Sequence, residues 1–146
     1  MAEFRIEIVA LSDERIRPFL DKVRDQATLS YVCLFVGDRI FYVQRVALAL
    51  DVATAEVIGV GTLAPTDEMG SGGPTIIGVW VVPPARKGGV ATQIICALAT
   101  ESERLYEAPA SVDALSPGGI AACRKAVALG AHLNVREHTG HRADLK

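Results

Sequence analysis

Cysteine is scarce in this chain, and what there is does not pair. Cys33, Cys96 and Cys123 are the only 3 among 146 residues, and they lie far apart. That excludes a disulfide framework and leaves no paired metal-ligand spacing. Each reads as a small buried apolar residue. Aromatic residues make up 5% and the formal net charge is −2, so a broad basic surface with interleaved aromatics is missing. A nucleic-acid-binding domain is therefore disfavoured, as is a general attraction to an anionic membrane. Apolar runs are broken by charge or glycine well short of the roughly 20 residues that span a bilayer. The N-terminus has no signal-like apolar segment, and the expected location is the cytoplasm.

Half of the residues are apolar, enough for a core of ordinary size in one domain spanning residues 1–146. Phe4 to Val9 alternates apolar and polar residues and reads as a strand, after which Ser12 offers a helix cap. Ile16, Phe19, Leu20 and Val23 form a helical stripe. Pro18 is expected to break it and to start the main helix, because a proline deep in a helix loses a hydrogen bond. Tyr31 to Val43 has two readings. Gly37-Asp38 between apolar runs signals a hairpin, whereas the family introduced below has a second helix nearby. Val46 to Val52 and Glu56 to Leu63 read as strands whose short link at Ala53 and Thr54 makes them antiparallel. Ala64 to Pro74 is a loop rich in glycine and proline.

Beyond the strand at Thr75 to Val82, apolar residues Ala91, Ile94, Ile95, Leu98 and Leu105 recur at helical spacing. Gln93, Glu101, Glu103 and Arg104 are expected on the opposite, solvated face. Ala110 to Leu115 reads as a strand. Ser116-Pro117 opens a helix through Ala121 and Val127, Gly130 stops it, and Ala131 to Val135 is the last strand. Strands and helices alternate in a mixed α/β order.

The most informative stretch is Val79-Trp80-Val81-Val82-Pro83-Pro84-Ala85-Arg86-Lys87-Gly88-Gly89-Val90-Ala91-Thr92, an apolar strand that runs into a basic glycine-containing turn and then a helix. Backbone N–H groups at a helix start lack partners inside the helix, and the helix dipole adds partial positive charge, so such a turn suits an anion. Gly88 and Gly89 let the main chain come close to a ligand, and Arg86 and Lys87 add donors, with Arg86 able to grip phosphate as a bidentate fork. A Walker-type loop is excluded because Lys87 precedes the glycines and no Ser or Thr follows it directly. A dinucleotide fingerprint is excluded because only two glycines are present.

Read as Arg86-x-x-Gly89-x-Ala91 with Pro83 three residues ahead of Arg86, the turn resembles the pyrophosphate motif of the GNAT superfamily of acyl-CoA-dependent N-acyltransferases. The resemblance spans Val46 to Gly130 and is strongest from Val79 to Tyr106. It implies a central, mixed, mostly antiparallel twisted sheet flanked by helices. It also implies that Val81 and Val82 face the pantetheine arm of the cofactor, while Arg86, Lys87, Gly88, Gly89, Val90, Ala91 and Thr92 wrap its diphosphate. Acetyl-CoA or another acyl-CoA would be the donor, no metal is expected, and a homodimer is common among members. Trp80 is expected to pack beside the cofactor strand, and Cys123 falls close to the implied site.

The last part of the family pattern is not matched. Many members carry an asparagine near the start of the final helix and a tyrosine that protonates the departing thiolate. Aligned on Leu129-Gly130, those positions hold Gly119 and Ala126. Acyl transfer also needs a group that removes the amine's proton and donors for the tetrahedral oxyanion. The backbone N–H of Val81 or Val82 is the expected oxyanion donor if the strand is bulged or splayed there. Thr75 to Val82 contains no carboxylate, so Glu68 of the preceding loop is the candidate base, its other reading being an exposed loop charge. His132, His138 and His141 are of a residue type suited to proton transfer but sit in a short polar tail and are expected in solvent. His138 and His141 have no evident third partner for a metal. The expected activity is transfer of an acyl group, acetyl first, from acyl-CoA to a primary amine of a small molecule or peptide. The alternative is an inactive CoA-binding sensor or partner-binding module.

Overall fold

The computed structural model describes residues 3–23, 43–66, 72–114 and 116–138. The elements are β1 (Phe4–Ala10), α1 (Ile16–Val23), β2 (Arg45–Asp51), β3 (Val57–Ala64), β4 (Thr75–Val81), α2 (Val90–Tyr106), β5 (Ala110–Ala114), α3 (Pro117–Ala128) and β6 (Leu133–Glu137). One six-stranded sheet has the order β1-β2-β3-β4-β5-β6. The first three junctions are antiparallel and the last two parallel. The tight turn after β2 returns the chain antiparallel, whereas α2 and α3 each carry it over to a parallel neighbour. The turn between β2 and β3 is organised by Asp51, whose carboxylate accepts from the backbone N–H groups of Ala53 and Thr54 at 2.8 and 3.0 Å.

β2 is the centre of the core. Val46 to Leu50 are all at most 1% exposed, and alternate residues serve opposite faces. Val46, Leu48 and Leu50 join Ile16 and Phe19 of α1, Val60 and Trp80 on one face, here the α1 face. Ala47 and Ala49 join Leu63, Val81, Val90, Ile94 and Leu98 on the other, the α2 face. Each fully buried Leu or Ile is worth about 1.5–3 kcal/mol relative to exposure. The small residues on the α2 face let α2 lie directly on the strands. A Cβ at Gly61 would collide with Ile94 Cγ2 and approach Leu98 Cδ1 to 3.0 Å.

Three local expectations are corrected. The start of α1 is organised by Asp13 rather than Ser12. The Asp13 carboxylate accepts from the backbone N–H of Arg15 at 2.9 Å and from the Arg15 guanidinium at 3.0 and 2.9 Å. Pro18 lies inside α1, two residues after it begins at Ile16, and does not break it, because the first turn has no use for the missing N–H. Glu101 is buried rather than solvated, held by Arg45 of β2 at 3.2 Å and by Arg104 at 2.9 and 2.7 Å.

The termini of α3 are as expected. Ser116 accepts from the Gly119 N–H at 3.0 Å. Gly130, at φ 104, closes a Schellman pair in which Ala131 N–H donates to Ala126 O and Gly130 N–H to Val127 O. The last strand runs two residues later than expected. Residues 31–42 and 67–71, which include most of the ambiguous segment and Glu68, lie outside the described residues, as does His141. Among the described residues, no helix is long and apolar enough to cross a membrane.

Candidate active site

β4 and β5 are joined by only two rungs, Thr75 with Ser111 and Ile76 with Val112. Beyond them the strands part. The departure coincides with a bulge, because Leu63 faces Ile76 while Thr62 faces Gly78, leaving Ile77 as the extra residue of β4. A bulge bends its strand and raises the local twist.

The bulge also decides which backbone groups of β4 look into the opening. Val82 N–H donates to Ile58 O at 2.9 Å, so in the antiparallel ladder the pairs Val60 with Trp80 and Thr62 with Gly78 are the bonded ones. Val79 and Val81 then turn their N–H and C=O groups away from β3, toward the gap. Of the two expected oxyanion donors, Val82 is therefore occupied by the sheet, and Val81 is the one that faces the opening. Their side chains also part company. Val81 packs on the α2 face and Val82 on the α1 face.

Above the gap the chain makes a short 3-10 turn at Pro83–Ala85 and enters α2 through Arg86 to Gly89. Lys87 has φ 70 and Gly89 φ 84, left-handed values that glycine adopts freely and lysine only at a cost. Among the described residues no side chain caps α2, whose first internal bond runs from Gln93 N–H to Gly89 O at 3.0 Å. The N–H groups of Val90, Ala91 and Thr92 therefore have no partner within the helix. Thr92 is buried, while Lys87 is exposed.

Arg86 is placed differently from a simple phosphate fork. Its Nε donates to Val81 O at 2.8 Å, and its Cζ lies 5.4 Å from the centroid of the Trp80 ring. Trp80 in turn meets Phe19 of α1 edge-on at 6.1 Å. The guanidinium is thus parked at the open edge of β4 by a hydrogen bond and a cation–π contact. With Nε engaged, only the two terminal nitrogens remain for a ligand.

The positions where the family pattern has catalytic groups are inert here. Ala126 is fully buried. Cys123 is buried too, and desolvation pushes its thiol up to about 11, so it is a packing residue at neutral pH. Cys96 is likewise raised by burial. Asp113 of β5 and Arg136 of β6, which the sequence did not single out, meet His138 just beyond β6. Asp113 accepts from Arg136 Nε at 2.9 Å and Nη2 at 3.2 Å, and His138 Nε2 lies 2.9 Å from the same carboxylate. The Arg136 hydrogen bond holds the Asp113 carboxyl below its ordinary value, against some desolvation, with His138 adding to the lowering. His138 is thus tied into the sheet, contrary to its expected place in solvent, while His132 is exposed with Glu103 at 3.4 Å. A pairing across 25 residues leaves no local signal in the sequence. Among the described residues no cluster of three metal-ligating side chains occurs.

No protein-family model matches the sequence, and no curated protein does. Solved structures match the fold. An aminoglycoside acetyltransferase from an uncultured soil metagenomic sample, in complex with sisomicin, aligns with a TM-score of 0.56 at 16% identity, covering 84% of this chain and 86% of that one. A ribosomal-protein-alanine N-acetyltransferase from Brucella melitensis biovar Abortus 2308 gives 0.53 at 14% identity, covering 99% and 88%. The aminoglycoside N-acetyltransferase AAC(6')-Iy, in complex with a bisubstrate analog of CoA and acetylneamine, gives 0.54 at 19% identity, covering 93% of each chain. At such identities the likeness is one of architecture. A six-stranded mixed sheet opened between β4 and β5, with an uncapped helix start above the opening, gives this chain the fold of the GNAT N-acyltransferases.

Proposed function

We propose that the chain is an acyl-CoA-dependent N-acyltransferase that moves an acyl group, acetyl first, directly from CoA to a primary amine of a small molecule or peptide. The observation that carries this reading is the open edge of β4. Val79 and Val81 present unpaired-in-sheet amide groups to a gap that ends at the uncapped start of α2. A pantetheine arm carries two amides, and its diphosphate carries the charge that helix N–H groups attract. The residues fit that donor. Val79 and Val81 would hold the arm, while Gly88 to Thr92 with Lys87 and the terminal nitrogens of Arg86 would hold the diphosphate. The thioester supplies the activated acyl group. The neighbours' names, which speak of aminoglycoside and protein acceptors, agree with an amine acceptor in general.

Isothermal calorimetry with acetyl-CoA tests the donor half. Wild type is expected to bind. Arg86→Ala is expected to weaken binding about tenfold or more, the worth of one charge-assisted hydrogen bond, and Gly89→Val to weaken it further by forbidding the left-handed turn. No binding by the wild-type protein would defeat the proposal. A second reading, a CoA-binding module without catalysis, is favoured by the buried Ala126 at the tyrosine position. Release of free thiol tied to acetylation of any amine in a panel of sisomicin, an alanine-led tripeptide and hydroxylamine separates the two.

A further inference from the structure

Arg45, Arg104, Arg124 and Arg136 are each held by a carboxylate. Arg86 is held by neutral groups instead. Its Nε donates to Val81 O at 2.8 Å, its Cζ lies 5.4 Å from the centroid of the Trp80 ring, and the side chain is exposed. Among the described residues no carboxylate pairs with it. Val81 O, for its part, faces the gap, because the ladder with β3 uses the other edge of β4 and the rungs with β5 end at Ile76. An amide-bearing ligand lying along that edge would donate to this same oxygen. Arg86 therefore stands where the arm of a donor has to bond.

We propose that Arg86 selects the donor by its diphosphate, blocking Val81 O against the arm of a thioester until a diphosphate draws the guanidinium away. This rests on the acyltransferase reading above and narrows it. The donors favoured are thioesters whose arm is joined to a nucleotide diphosphate, as in acyl-CoA, over thioesters of pantetheine alone.

The exchange follows from which partner holds a guanidinium better. Val81 O gives it one bond to a neutral oxygen, and a cation–π contact on an exposed side chain is a weak tether. A diphosphate offers opposite charge and a bidentate pair. Arg86 stands three residues before Gly89, the residue that opens α2, so a single short turn links the open edge of β4 to the uncapped helix start. A nucleotide bound at the helix start pulls on the terminal nitrogens and frees Val81 O. A thioester lacking the diphosphate has nothing to move the guanidinium and must break the bond to Val81 with its own binding energy, which lowers its apparent affinity. The two halves of the donor thus favour one another's binding, and that coupling is reciprocal.

The test is calorimetry of wild type, Arg86→Ala and Arg86→Met with three ligands: S-acetylpantetheine, 3′-phosphoadenosine 5′-diphosphate and acetyl-CoA. Both variants are expected to bind S-acetylpantetheine about fivefold tighter than wild type, the worth of one hydrogen bond no longer broken, while binding the nucleotide and acetyl-CoA about tenfold weaker. Saturating nucleotide should tighten S-acetylpantetheine binding to wild type by about fivefold and leave it unchanged in the variants. Trp80 is the only tryptophan of the chain, so its emission should shift when the nucleotide binds wild type and not when it binds either variant. Opposite signs for the arm and the nucleotide are the signature. A structural arginine, or one that only grips phosphate, gives no tightening. Unaltered or weakened S-acetylpantetheine binding in both variants overturns the proposal, as does undetectable binding of that ligand in all three proteins with nucleotide present. If wild type binds acetyl-CoA and these effects are missing, the selecting role of Arg86 fails alone. If wild type binds none of the three ligands, the donor site fails and the role of Arg86 with it.

Discussion

Gly61 and Thr62 are neighbours in β3 that meet opposite faces of the sheet, and each limits substitution differently. At Gly61 the backbone touches α2, so a methyl group would run into Ile94 Cγ2. We expect Gly61→Ala to destabilise the protein by about 1–3 kcal/mol, the usual cost of overpacking, read as a lower midpoint in denaturant at unchanged slope. Thr62 is fully buried on the α1 face, and among the described residues its hydroxyl has no hydrogen-bond partner. Thr62→Val keeps the shape and removes an unsatisfied polar group, so it should stabilise by about 1 kcal/mol in the same denaturation. Neither role is visible in the sequence. Gly61 reads only as a glycine within a strand, and Thr62 as an ordinary strand-former.

At the scale of elements, most of the architecture is legible because the determinants are local. Alternation marks β1, the 3.6 period marks α2, and Ser116-Pro117 with Gly130 brackets α3 through the backbone groups that helix ends leave unbonded. The misreadings have equally specific causes. Ser12 has the right chemistry for a cap, but Asp13 is the residue whose carboxylate reaches both the Arg15 N–H and its guanidinium. Glu101 looks solvated by residue type, yet Arg45 reaches it from 56 residues away. The Asp13 pairing has a pH signature. Hydrogen bonds from Arg15 lower its carboxyl to about 2 from the ordinary 3.8. A depressed carboxyl contributes stability above its ordinary value and loses it as the pH falls through the folded one. Thermal melts should therefore show wild type above Asp13→Asn at neutral pH, with the gap narrowing between about pH 5 and pH 2.

For the whole molecule, the donor half of the site is written in one continuous segment and the remainder is assembled from distant ones. Val79 to Thr92 carries strand, turn and helix start in order, so its anion-binding character can be read directly. Which amides face the opening depends on the bulge at Ile77 and on the bond from Val82 to Ile58, and a strand's hydrogen-bond phase leaves no mark in its composition. Asp113 and His138 meet only because α3 returns the chain to lie parallel beside β5. The sheet itself falls into four antiparallel strands and a parallel pair, sharing two rungs between β4 and β5. Those halves are two plates with a short seam. An amide-bearing ligand bonded to Val79 and Val81 would act as a missing length of strand, so the stiffness of the sheet would depend on what fills the seam as much as on the chain that built it.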